Sequence, residues 1–341
     1  MSDALVSARH LTVSFRAEGG FFGRSLRRVR AVDDVSLDVE EGSIFPLVGE
    51  SGCGKTTLGR ALLRLLPPDS GEVLFRGKDL ARMAPEELRR QRRRMQIVFQ
   101  DPYASLNPRM RIRDTLAEPF WTHEPHLSPR EVEVRGRELL RLVGLRGEVL
   151  GHFPHQFSGG QRQRIGIARA LALHPEFVVC DEAVSALDVS IQAQVLNLLV
   201  DLREKFSLTY LFITHNLAVV RHLADRVGVM FLGRVMEVGP TEELFSTPLH
   251  PYTKFLIGAV PLPDPRRRDR EKLLLQGDVL SPTALPPGCR YADRCPHAMA
   301  RCRSESPPLT EFPNGRQAAC FLAGQLPAPA PEHAEAHSRP P

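Results

Sequence analysis

The run Gly49-Glu50-Ser51-Gly52-Cys53-Gly54-Lys55-Thr56-Thr57 has the residue types and spacing for a specific chemistry. It follows an apolar stretch ending at Val48, reads G-x-x-x-x-G-K-T, and leads into apolar residues over 58–66. Gly49, Gly52 and Gly54 permit a tight turn and the close approach of a phosphate chain. Backbone N–H groups at the start of the helix opened by Lys55 point at an anion. Lys55 is placed to reach the β- and γ-phosphates of a nucleotide, and the Thr56 hydroxyl to sit on Mg²⁺.

Other polar groups stand where apolar runs end. Residues 177–180 close on Asp181-Glu182, residues 95–99 on Gln100, and residues 210–213 on Thr214-His215. Asp181 can hold Mg²⁺ through water, and Glu182 can orient or deprotonate an attacking water. His215 can contact the γ-phosphate, and Gln100 can join the metal shell. Ser158-Gly159-Gly160-Gln161 opens a further helix, with Ser158 suited to the N-cap and two glycines leaving the N-terminus bare for an anion. Phe15, upstream of the phosphate loop, is read either as an aromatic that stacks on a nucleobase or as a core residue.

These groups need a scaffold that alternates strands and helices. Strands are expected over 5–15, 32–39, 71–75, 95–99, 177–180, 210–213, 227–231 and 235–238, and a loop over 17–30. Helices are expected over 58–66, 85–94, 162–173, 190–206, 242–245 and 252–260. Residues 112–150 carry helical periodicity broken at Pro125 and Pro129, so a helical insert at about 101–165 is expected. Strands alternating with helices predict an α/β fold with a mostly parallel sheet and a ligand at the carboxyl ends of its strands.

The 341 residues suffice for one large domain and an appendage. With 42% hydrophobic and 25% charged residues, a wholly disordered chain is excluded. The net charge of +5 permits contact with nucleic acid or an anionic membrane face, although each arginine cluster taken singly reads as a solvated surface. The first fifteen residues include Asp3 and no long apolar run, unlike a secretory leader. No apolar stretch is long enough to predict a membrane-spanning helix. From Pro261 the composition shifts to Pro, Arg and Asp, as in a linker, and residues 326–341 read as a disordered tail.

Four of the six cysteines fall together, as Cys289-x₅-Cys295-x₆-Cys302-x₁₇-Cys320. Thiolates suit Zn²⁺ or an iron–sulfur cluster. The gaps are wider than those of paired zinc sites and match neither ferredoxin spacing, so a four-thiolate site is expected without a choice of metal.

The order GESGCGKTT, Gln100, SGGQ, CDEAVSALD and ITH resembles the ATP-binding subunits of ABC transporters. The resemblance runs from about Leu5 to the region of Cys320. It implies an ABC-type P-loop ATPase domain over 1–260, with an antiparallel β subdomain and a helical insert. A small cysteine-containing region over 261–325 would follow. ATP and Mg²⁺ would be bound, and Ser158, Gly159, Gly160 and Gln161 would hold the γ-phosphate of the nucleotide on an opposite subunit. Asp188 would cross the dimer interface. Ala183 stands where the family often has Pro, and Asn216 where it often has Asp.

The segments Gln100-Asp101-Pro102-Tyr103-Ala104-Ser105-Leu106-Asn107-Pro108 and His250-Pro251-Tyr252-Thr253, with the four cysteines, are similar to the dipeptide/oligopeptide importer branch and resemble its F-type ATPase. That resemblance tilts the four-cysteine site toward a 4Fe–4S cluster over Zn²⁺. It implies a heterodimer with a second ATPase, two membrane permeases, indirect work with a solute-binding protein, and a peripheral place on the cytoplasmic face of the inner membrane. Nickel or sugar oligomers are alternative cargoes. A soluble ABC ATPase acting on nucleic acid or ribosomes is the rival reading. It is disfavoured by a single phosphate loop and the lack of sustained heptads, so no nucleic-acid partner is expected.

Overall fold

The computed structural model describes residues 4–16, 28–259 and 285–325. Strands β1 (Ala4–Arg16) and β2 (Arg28–Glu40) pair antiparallel, and their inward residues Leu5, Leu11, Val13, Val32 and Val35 are buried. The second strand begins at Arg28, before the expected 32, because the pairing continues to Arg16↔Arg28. Strand β3 (Ile44–Val48) is buried along its whole length and feeds the phosphate loop and helix α1 (Lys55–Leu62). That helix stops short of the expected 66, and Arg64 takes a left-handed φ of 56° just beyond its end. Strands β4 (Ser70–Phe75) and β5 (Lys78–Asp79) complete a four-stranded antiparallel sheet in the order β2-β1-β4-β5.

Helix α2 (Pro85–Arg92) buries no residue. Pro85 starts it, glutamates fill its first turn and arginines its last, matching the helix dipole. Strand β6 (Met95–Val98) precedes a helical region of α3 (Ile112–His123), α4 (Pro129–Leu142) and α5 (Gly159–Leu171). Ser128 and Glu131 form a reciprocal capping box at the start of α4. Leu116, Phe120, Leu139, Leu140 and Ile165 close these helices over one core.

Strand β7 (Phe177–Asp181), helix α6 (Val189–Phe206), strand β8 (Thr209–Thr214) and helix α7 (Leu217–Leu223) follow, then strands β9 (Arg226–Phe231) and β10 (Arg234–Pro240). Helices α8 (Thr241–Ser246) and α9 (Pro251–Gly258) close this part. The cysteine segment adds a 3₁₀ turn at Ala292–Arg294, helix α10 (Ala300–Ser304) and strands β11 (Thr310–Phe312) and β12 (Arg316–Ala318).

The large sheet has the order β11-β12-β10-β9-β3-β8-β7-β6. Its pairs β6–β7, β7–β8, β3–β8 and β3–β9 are parallel, whereas β10 runs antiparallel to β9. The parallel strands β3, β6, β7 and β8 therefore release their following loops at one edge. Strand β12 pairs antiparallel with β10, which joins the cysteine segment to the large sheet. No strand is expected there from the sequence, because a three-residue strand is too short to show alternation. Buried Glu237 on β10 reinforces the junction: it accepts from the N–H groups of Leu249 and His250, each at 2.9 Å, and from Arg316 on β12 at 3.1 Å. Residues 17–27 of the expected loop, residues 261–284, where the expected linker begins, and the tail 326–341 lie outside the described residues.

Candidate functional site

The phosphate loop is wedged between backbone walls. A Cβ on Gly49 would lie 2.1 Å from the Met230 carbonyl oxygen, and one on Gly54 would lie 2.0 Å from that of Ala31. Both glycines have positive φ, 154° and 107°, so neither space nor conformation admits a side chain. Lys55 is buried. Its Nζ donates to the carbonyls of Gly49 (2.8 Å) and Glu50 (2.9 Å) and lies 3.7 Å from Cys53 Sγ. Helix α1 starts at Lys55 without a side-chain cap or an acidic first turn. The loop can thus wrap a phosphate chain with backbone N–H groups, with the lysine already at its mouth. Ser51 and Gly52 are exposed on the outer bend, while Thr56 and Thr57 are half-buried on α1.

The strand-end groups converge. Thr56 Oγ1 donates to Asp181 Oδ1 at 2.6 Å, joining the first helix to the end of β7. Burial pushes the Asp181 carboxyl up, opposed by the Thr56 hydrogen bond and by Arg60, which lies 3.9 Å away. A divalent cation beside this hydroxyl and carboxylate would favour the ionised form, so hard oxygen donors suited to Mg²⁺ are in place. Glu182 takes a left-handed φ of 47°, and its N–H donates to the Ile213 carbonyl at 3.0 Å. Its Oε2 accepts from Gln100 Nε2 at 2.8 Å, and its Oε1 lies 3.5 Å from His215 Nδ1. Residues 100, 182 and 215, remote in sequence, therefore meet around one carboxylate.

Ser158 caps α5, accepting from the Gln161 N–H, while Gln161 Oε1 accepts from the Ser158 N–H at 3.0 Å. Gly160 lies against α6, where a Cβ would fall 2.5 Å from Ile191 Cγ2, and Gly159 packs near Leu187. Among the described residues no hydrogen bond or ion pair joins 158–161 to the phosphate loop or to Glu182. Asp188 is exposed at the N-cap position of α6 and makes no capping hydrogen bond. Phe15 pairs with Val29 and is 43% exposed, which removes the core alternative for it.

Sequence reasoning misses Arg60, one helical turn after Thr56, although that spacing is a usable signal. It also misses Tyr252 and Arg294 as neighbours of the phosphate loop. Tyr252 Oη accepts from the Glu50 N–H at 3.0 Å, and Arg294 is bidentate on the Glu50 carboxylate at 2.8 and 2.9 Å. No local signal in the sequence links these two residues to the loop.

Cys289, Cys295, Cys302 and Cys320 line one cavity together with His250 and His297. All four are unpaired thiols, and burial pushes Cys320 up to about 11. Gly288 allows the tight approach here: the Cys289 N–H donates to the Cys302 carbonyl at 2.8 Å, and a Cβ on Gly288 would lie 2.2 Å from that oxygen. The cysteines are gathered, yet among the described residues no three His, Cys, Asp or Glu side chains converge closely enough to hold one metal ion. The expected four-thiolate metal site is to that extent not formed. Tetrahedral zinc would need sulfurs about 3.8 Å apart, given a Zn–S bond of about 2.3 Å.

A parallel sheet whose strand ends gather a phosphate loop, an Asp–Glu pair and a histidine, beside an antiparallel sheet and a helical region, defines an ATP-binding cassette ATPase. Residues 32–185 match the family described as ABC transporter, and residues 236–302 that described as oligopeptide/dipeptide transporter, C-terminal region. The chain is 51% identical to the "Probable peptide ABC transporter ATP-binding protein y4tS" of Sinorhizobium fredii, over 94% of this chain and 91% of that one. It is 48% identical to the oligopeptide transport ATP-binding protein AppF of Bacillus subtilis, over 94% of this chain and 98% of that one. The dimeric post-hydrolysis structure of the cassette MJ0796 with ADP and Pi superposes with a TM-score of 0.61 at 28% identity, covering 69% of this chain and 98% of the other. The chain belongs to the ABC transporter ATP-binding proteins.

Proposed function

We propose that this chain hydrolyses ATP to drive the import of dipeptides or oligopeptides. The observation that carries the reading is the match of residues 236–302, the stretch that begins on β10 and reaches the cysteine segment, to the oligopeptide/dipeptide transporter C-terminal region. The names of the two relatives, at about half identity over almost the whole chain, support the same cargo class. The proposed division is an ATPase domain over 1–260 with the helical insert at about 101–165, the transporter-specific region over 261–325, and a tail.

In the proposed site the phosphate chain lies along residues 49–57 and displaces the Gly49 and Glu50 carbonyls as partners of Lys55 Nζ. Mg²⁺, held by Thr56 with Asp181 and Gln100, supplies charge neutralisation on the transferred phosphoryl oxygens. Glu182 orients the attacking water and takes up its proton, with Gln100 and His215 fixing the carboxylate from either side. Phe15 faces solvent, where a nucleobase can stack on it. Ser158, Gly159, Gly160 and Gln161 lie at a helix N-terminus that engages the nucleotide of a second cassette, and Asp188 stands exposed for the same interface. The MJ0796 cassette is dimeric in its post-hydrolysis state, which supports this reading.

The partners proposed are a related ATPase subunit in a heterodimer and two permeases, supplied by a solute-binding protein, at the cytoplasmic face of the inner membrane. No described helix is long and apolar enough to cross a membrane. Affinity purification of the tagged chain from its own cells is expected to recover a second ATPase and two membrane proteins, and deletion to abolish growth on peptides as nitrogen source. Recovery of ribosomes instead, with peptide uptake intact, would replace this reading by the nucleic-acid one.

The cysteine cavity is proposed to hold a 4Fe–4S cluster with a structural role, Zn²⁺ being the alternative. What supports the reading is that Cys289, Cys295, Cys302 and Cys320 line one cavity, and thiolates are the ligands such a cluster takes. Protein purified anaerobically is expected to be brown and to contain iron and acid-labile sulfide. Colourless protein with one zinc per chain would select the alternative.

A further inference from the structure

Glu50 puts a carboxylate inside a loop that wraps a polyanion, and the fold controls that charge from an unexpected place. Arg294, 244 residues away, holds both Glu50 oxygens, at 2.8 and 2.9 Å. The Arg294 side chain is only 4% exposed, while that of Glu50 is 31% exposed. Its guanidinium is boxed by the rings of Phe231 (5.4 Å), Tyr291 (5.7 Å) and Phe255 (5.8 Å). Arg294 ends the 3₁₀ turn Ala292–Arg294, directly before Cys295. Tyr252 Oη takes the Glu50 N–H from the same side.

We propose that Arg294 is a positioning residue for the ATP site, by which the cysteine segment holds the Glu50 carboxylate away from the phosphates and away from Lys55. The Glu50 carbonyl accepts from Lys55 Nζ at 2.9 Å, so the backbone that carries the carboxylate lies beside the lysine. Without the guanidinium, the carboxylate is an unpaired anion beside a triphosphate and a competitor for the lysine. A bidentate arginine is suited to this task because its planar fork fixes both oxygens at once. Arg294 touches no substrate and acts only through Glu50. The proposal rests on the reading of residues 49–57 as the ATP site.

The test measures Mg·ATP affinity and steady-state hydrolysis for the full chain in its assembled complex. Arg294→Ala is expected to weaken Mg·ATP binding about tenfold, less than a fully buried pair would give because solvent screens part of Glu50. KM should rise in step while kcat changes little. The decisive variant is Arg294→Ala combined with Glu50→Gln, which removes the stranded charge and is expected to recover affinity to within about threefold of the native chain. Native affinity in Arg294→Ala, or a double variant as weak as the single, would overturn the proposal. If Arg294→Ala does not fold, Arg294→Met keeps the apolar stem among the rings and is held to the same outcomes. Lys55→Ala is measured in parallel. A native chain that does not bind Mg·ATP, or Lys55→Ala that binds it normally, refutes the ATP-site reading rather than the role of Arg294.

Discussion

Glu182→Gln is expected to lower steady-state ATP turnover by about 10²–10⁴-fold, the contribution of a positioned proton acceptor, while Mg·ATP affinity is retained. The substitution removes only the negative charge and basicity. Gln100 Nε2, now 2.8 Å from Oε2, can still donate to the side-chain oxygen of a glutamine. The left-handed backbone at residue 182 costs about 1–3 kcal/mol and is held by the Glu182 N–H on the Ile213 carbonyl and by Ser185, whose N–H and Oγ both donate to the Glu182 carbonyl. Glutamine tolerates that conformation as glutamate does, so melting temperature should not move. Phosphate release by the assembled complex, with nucleotide binding on the same sample, checks the result. Turnover within twofold of native would take the water-orienting role from Glu182.

A second large effect is expected in stability, at Asp33. Its side chain is 4% exposed, and its Oδ2 accepts from Arg234 Nε at 2.8 Å and from Arg290 of the cysteine segment. Arg30 approaches Oδ1 at 3.2 Å. Burial alone would raise this carboxyl, but the hydrogen bonds and charges of Arg234 and Arg290 outweigh it and hold it below its usual range. Asp33→Ala would leave Arg290, itself 7% exposed, without its counter-ion, at a cost of about 3–5 kcal/mol. Because the folded-state pKa is depressed, the stabilisation is present above the unfolded value of about 3.9 and is lost as pH falls through the folded value. Denaturant melts should therefore show a gap between native chain and variant that is full at neutral pH and shrinks below about pH 4. A gap under about 1 kcal/mol at neutral pH would mean that Asp33 is not the clamp between the antiparallel sheet and the cysteine segment.

Much of the proposed nucleotide site is legible because its parts are local. The phosphate loop is one contiguous run, and a glycine pattern before a lysine needs no knowledge of what lies across the fold. Gln100, the pair Asp181-Glu182, and His215 just beyond Thr214 each stand where an apolar run ends, so a parallel sheet brings them to one edge once the strands are recognised. The capping box of Ser158 and Gln161 is equally local. Strand ends are less legible: β2 extends to Arg28 because β1 supplies partners that far, a fact of pairing and not of pattern.

Hydrophobic period and turn chemistry act over a few residues, and they suffice to say that this chain grips a nucleotide's phosphates on an alternating α/β scaffold. What the remaining charges and thiols do depends on which segments meet in three dimensions. Nothing within reach of Glu50 in the chain predicts Arg294, nor does anything near Asp33 predict Arg290, 257 residues away. Such pairs form because β12 docks on β10 and carries the cysteine segment to the phosphate loop. The same segment, once docked, gathers its four cysteines around one cavity. Charge pairing and burial are properties of where segments meet, and one sequence read along its length carries no distance between segments.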